Sequence, residues 1–130
     1  MGEREGSEMD IQLLGLPKSK TTRKAQRFFT DRRIAFHDLD LRRHKLSPGE
    51  LRKWVQRFGV EACLDPASKS YREQSLQYVS AGEDAWLGRM ADDPSILALP
   101  LVRCGKELAV GDDPDGWRRI ADAARGGDRA

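Results

Sequence analysis

Two cysteines and two histidines are all that the 130 residues offer to thiol or imidazole chemistry. Cys63 and Cys104 stand far apart, with no C-x-x-C pair and no Cys/His cluster. Neither a zinc site nor a dithiol redox motif is therefore supported. So little cysteine fits a reducing, cytoplasmic home. His37 and His44 have no second ligand in view, so no metal site is expected. Long hydrophobic runs are also missing: none approaches the roughly 18 residues of a membrane span. The opening "MGEREGSEMD" lacks the apolar stretch of a secretory signal. Residues 1–8 read as a disordered leader, and "RGGDRA" at 125–130 as a frayed tail. There is no Walker loop and no G-x-G-x-x-G to cradle a nucleotide. An excess of one charge is absent too. Lys and Arg total 23 against 21 Asp and Glu, a net charge of +2, which gives no argument for nucleic acid. The basic clusters at 32–33, 42–45 and 52–57 read as solvated surface.

What is present is the patterning of one α/β domain, placed at residues 9–124. Ile11 to Leu14 is a strand candidate ended by Gly15 and Pro17. A helix starts around Ser19 to Thr22, each a good N-cap, and ends near Arg33. Thr22, Ala25, Phe28 and Phe29 form its apolar stripe. "IAFHDLDL" at 34–41 reads as a second strand. "LSPGELRKWVQRFG" is the clearest helix. Ser47, Pro48 and Glu50 make a capping box, Leu51, Trp54, Val55 and Phe58 a buried face, and Gly59 a stop. "CLDPASK" reads as a loop, then Tyr71–Val79 and Asp84–Met90 as short helices. Two apolar runs, "PLVRC" and "ELAVG", flank a tight turn at Gly105-Lys106. A final helix follows, with Trp117, Ile120, Ala121 and Ala124 on its apolar face. The three tryptophans fall at helical spacing with other apolar residues and read as core. A β-α-β start implies a right-handed parallel crossover, and the hairpin adds an antiparallel pair. The expected fold is a thioredoxin-like α/β arrangement: a four-stranded mixed sheet with an all-helical insert between strands two and three.

The ordered set "LLGLPKSKTTRKAQRFF", "FHDLDL" with its capped helix, and "LPLVRCGKELAVG" resembles the arsenate reductase and Spx-type family over about residues 9 to 124. The family's loop runs Asn-Pro-x-Cys-x-x-Ser-Arg at the first helix. Here it reads Leu16-Pro17-Lys18-Ser19-Lys20-Thr21-Thr22-Arg23, which puts Ser19 in the nucleophile's position. The helix N-terminus that lowers a thiol's pKa cannot make an alkoxide of a serine at neutral pH. A general base would be needed, and "PKSKTTRK" supplies no His, Asp or Glu. The resemblance also implies oxyanion-holding arginines, and the matching positions are Ala67, Leu99 and Asp112, the last expected to face the pocket. Lys69, Arg72 and Arg103 are nearby cations that can partly substitute. Pro100 matches the family's cis-proline.

Three readings of Ser19 stay open: a helix cap, a binder of an anion or thiol, and a covalent nucleophile. As a binder it would act with Lys18, Lys20, Thr21, Thr22 and Arg23. A serine at this position can hold a glutathione thiolate, so glutathione is the one co-substrate to consider; no other cofactor is expected. Cys63 precedes the loop that the family places near the active site, and is the candidate redox group. Cys104 reads as a core residue. The resemblance implies a non-catalytic binding or regulatory protein, since Spx-type members bind RNA polymerase without an enzymatic step. The alternatives are a thiol-dependent oxidoreductase and an atypical arsenate reductase.

Overall fold

The computed structural model describes residues 10–129, with side chains to residue 126, so the expected leader lies outside the described residues. Its sheet has the order β2-β1-β3-β4. The strands are β1 (Gln12–Gly15), β2 (His37–Asp40), β3 (Leu101–Cys104) and β4 (Glu107–Val110). β1 and β2 run parallel, while β3 is antiparallel to both β1 and β4. The helices are α1 (Lys20–Asp31), α2 (Pro48–Phe58), α3 (Lys69–Glu73), α4 (Glu83–Asp92) and α5 (Pro114–Arg129). The sheet is mixed and thioredoxin-like, with α2, α3 and α4 inserted between β2 and β3, as the sequence predicts.

Alternation along the strands divides the core between two faces. Leu13, Val102 and Ala109 lie side by side across the sheet and pack under α1 and α5 with Ala25, Phe29, Trp117 and Ile120. Leu14, Leu101 and Leu108 point the other way, into the cluster built by the insert around Leu51, Trp54, Leu87 and Met90. All three tryptophans are buried. The Trp54 indole donates to the Ala109 carbonyl at 3.1 Å, which fastens α2 to β4.

Several boundaries differ from expectation, each for a local reason. β2 is shorter than 34–41. Arg33 turns left-handed (φ 57) after α1, and the Ile34 amide bonds back to the Phe29 carbonyl at 2.9 Å. Ile34 and Phe36 therefore pack on the core without joining the ladder, and β1 has only four residues to pair with. The expected helix over 71–79 is broken. α3 ends at Glu73, Ser75 adopts φ 53, and a 3-10 turn follows at Leu76–Tyr78. The "CLDPASK" loop begins with a 3-10 turn at Glu61–Cys63 and a bridge between Leu64 and Leu97. At the far end, α5 continues through Arg129, over most of the expected tail.

Candidate functional site

The β1–α1 junction is tight because of its sequence. Pro17 stops the strand, and Gly15 lets the helix approach. A Cβ at Gly15 would lie 2.4 Å from the Thr22 side chain. Ser19 is the N-cap of α1 in extended conformation, and its Oγ accepts from the Thr22 amide at 3.1 Å. That bond leaves the Ser19 hydroxyl proton to donate elsewhere. The Lys20 and Thr21 amides have no described intrahelical acceptor, as expected for a first turn. Thr22 and Arg23 behave otherwise than the sequence suggests. Thr22 is buried, its amide is committed to the cap, and its Oγ1 has no partner. The Arg23 guanidinium folds back to donate to the Pro17 carbonyl at 2.6 Å. It lines a separate 230 Å³ recess beside Asp38 and Asp40.

Lys18, Ser19, Lys20 and Thr21 line a cleft of about 580 Å³. Its floor is Leu16, Leu97 and Leu99, and its other side comes from Asp65, Ser68, Lys69, Ser70, Glu73 and Ser95. The backbone holds these segments in register. The Asp65 amide donates to the Ile96 carbonyl, and the Ala98 amide to the Cys63 carbonyl, both at 2.9 Å. This short antiparallel pairing ties the start of α3 to the segment leading into Leu99–Pro100, whose peptide bond is cis. The family resemblance assigns its cis-proline to that position. The charge in the cleft is mixed, three lysines with two carboxylates.

Behind the cleft wall, Asp93 ties down two of its serines. The carboxylate accepts from the hydroxyls of Ser70 and Ser95, from the Ser95 amide at 3.1 Å and from Gln74 Nε2 at 3.0 Å. Partial burial pushes the Asp93 pKa up, but the bonds from Ser70, Ser95 and Gln74 outweigh it and hold the carboxyl below its usual range. Sequence reasoning missed this cluster. Its local signal is Asp93-Pro94-Ser95, an Asx-type turn, but the pairing with Ser70 and Gln74 is tertiary.

A model of the ArsC family matches residues 14–120, most of the chain. The chain belongs to the ArsC family. Solved structures share its fold. The YffB (PA3664) protein superposes with a TM-score of 0.77 at 22% identity, covering 85% of this chain and 98% of its own. An ArsC family related protein from Bacteroides fragilis gives 0.79 at 19% identity, covering 88% and 99%. An arsenate reductase from Vibrio cholerae gives 0.74 at 23%, covering 86% and 98%. No curated protein matches the sequence significantly.

In this ArsC family chain, only one of the three positions that the resemblance matches to the family's arginines lines the cleft. Ala67 is exposed, and its amide caps a turn by donating to the Asp65 carboxylate at 3.0 Å. Leu99 forms part of the cleft floor. Asp112 corrects an expectation. It does not line the cleft but pairs with Lys24 of α1 at 2.9 Å, both side chains half exposed. Of the nearby cations, Lys69 lines the cleft, while Arg72 does not and Arg103 donates to Gln12 on the sheet at 2.6 Å. Cys63 also stays out of the cleft. It is 1% exposed in the insert-side core, and burial pushes its thiol up to about 11. A nucleophilic thiol needs the opposite shift. Cys104 is buried on the other face. Among the described residues no His/Cys/Asp/Glu group can hold a metal, and no helix is long and apolar enough to cross a membrane.

Proposed function

We propose that this ArsC family protein binds a small anion or thiol at the N-terminus of α1 and performs no reduction there. The carrying observation is Ser19 itself. The resemblance matches it to the family's nucleophile position, and in the fold it is a helix cap beside two amides without acceptors and the cations Lys18 and Lys20. Its described hydrogen bonds include no carboxylate or imidazole to act as base. The hydroxyl is a donor to a bound oxyanion or thiolate and cannot enter disulfide exchange. Cys63 does not supply the missing sulfur, because its burial favours the neutral thiol. The small cysteine content and the absence of a membrane-spanning helix among the described residues favour a cytoplasmic role.

Calorimetry with glutathione and with arsenate, combined with glutaredoxin- and thioredoxin-coupled assays, tests this reading. The expected result is measurable heat with at least one ligand, weakened by Lys20→Glu, and turnover at background. Coupled turnover by the unmodified protein would overturn it, and so would silence with both ligands.

A further inference from the structure

The cleft's ligand preference depends on which way its hydroxyl protons point. Asp93 lies outside the 580 Å³ cleft, yet two of the cleft's serines terminate on its carboxylate. A carboxylate only accepts, so Ser70 and Ser95 must both donate to it. Ser70 also accepts from Gln74 Nε2 at 2.8 Å. What these two hydroxyls can offer the cleft is therefore lone pairs. Asp65 and Glu73 line the same side and add further acceptors. Ser68 differs: its Oγ accepts from the Tyr71 amide at 3.0 Å, and its proton remains available. Lys69 sits 3.9 Å from Glu73, which partly offsets its charge. The α1 side contributes Lys18, Lys20, the Ser19 hydroxyl and two amides, and no acid.

A bare oxyanion carries acceptors on every side. It gains from the α1 side but meets fixed oxygens at Ser70 and Ser95, which leaves lone pairs opposed. A ligand with an anionic end and a donor end meets both sides satisfied. We propose that Asp93 is a specificity-determining residue of this cleft. By fixing Ser70 and Ser95 as acceptors, it selects ligands that bring hydrogen-bond donors together with an anionic group, the chemistry of an amino-acid-like or peptidic zwitterion. This inference rests on the binding role assigned above to the α1 end of the cleft.

Asp93→Asn tests it. The amide group of asparagine donates, so at least one serine must accept from it and turn its own proton towards the cleft. NMR titration would follow the 18–21 amides with three probes: glycylglycine, N-acetylglycylglycine and inorganic phosphate. The full-length protein should bind glycylglycine roughly three- to tenfold more tightly than the acetylated form, the range of one hydrogen bond. Asp93→Asn should narrow that ratio and tighten phosphate by a similar factor. Ser70→Ala, which removes one acceptor and leaves Asp93 bonded to Ser95, should narrow the ratio and tighten phosphate less than Asp93→Asn does, because it relieves one opposed lone pair and adds no donor. A merely structural role for Asp93 would weaken all probes alike and overturn the proposal. Equal affinity for the two dipeptide forms in the unmodified protein would overturn it while leaving the binding reading intact. No shift at residues 18–21 with any probe would overturn both.

Discussion

Cys63 shows how one residue's surroundings decide its chemistry. Its neighbours in sequence, ahead of the "LDPASK" loop, put it beside the site on a family argument. The fold instead buries it in the insert-side core cluster that also holds Leu64, Tyr71 and Leu97. Desolvation favours the neutral thiol, so its folded pKa of about 11 stands above an unfolded value near 8.5. The sign of the linkage follows. The contribution is fully present below about pH 8.5 and is lost as pH rises towards 11, because the unfolded chain ionises first. Urea unfolding followed across that window should show stability falling with pH, and the fall should shrink in Cys63→Ala. At pH 7.5, Ellman's reagent should label Cys63 only on unfolding, scored by peptide mapping. Fast labelling of Cys63 in the native protein would contradict its placement in the core.

The elements divide by how local their causes are. α2 is legible from sequence because each signal lies within it: Ser47 and Glu50 exchange cap bonds at 3.1 Å, Pro48 starts it, and Gly59 at φ 92 ends it. The 69–79 segment is not, because its break is a left-handed Ser75, a residue type that does not announce that conformation. β2 is half legible: its apolar alternation is real, but the partner strand's length decides how much of it pairs. The β1–α1 junction belongs to both elements at once, and it makes a quantitative prediction. In Gly15→Ala the new methyl would have to displace Thr22 Cγ2 and Oγ1, both at 2.4 Å. Overpacking of this kind costs about 1–3 kcal/mol. Thr22→Ala alone should cost less, since its buried hydroxyl has no partner to lose. The pair should therefore couple: Gly15→Ala/Thr22→Ala should recover roughly 1 kcal/mol relative to the sum of the single changes. Urea midpoints of the four proteins measure this. Strict additivity would mean that α1 shifts to accommodate the methyl.

At the scale of the whole molecule, the sheet and its two helical layers bring three distant segments, 16–21, 65–73 and 95–99, around one cleft. The first was legible as a site because a helix start carries its own signal. The family resemblance places the other two near it, through the "LDPASK" loop, Lys69 and Leu99, but the Ser70–Asp93–Ser95 cluster was not legible, because its members meet only through the fold. The same integration limits how the site can be changed. Ser19→Cys places a thiol at the N-terminus of a 12-residue helix, next to Lys18 and Lys20. Its pKa should fall below the ordinary cysteine range, readable as thiolate absorbance against pH. Arsenate turnover should stay at background, because the matched arginine positions are not spare sites around the cleft. Ala67 lies outside it, and Asp112 is held by Lys24. Leu99 is 7% exposed and shares the insert-side core with Leu97 and Leu101. Adding Leu99→Arg would force a larger side chain among those leucines at the cleft floor, and overpacking of this kind destabilises by about 1–3 kcal/mol. The double variant should thus unfold at markedly lower urea than Ser19→Cys and still show no turnover in a coupled assay. Turnover from Ser19→Cys alone would instead mean that Lys18, Lys20 and the α1 amides suffice to hold the oxyanion through reduction.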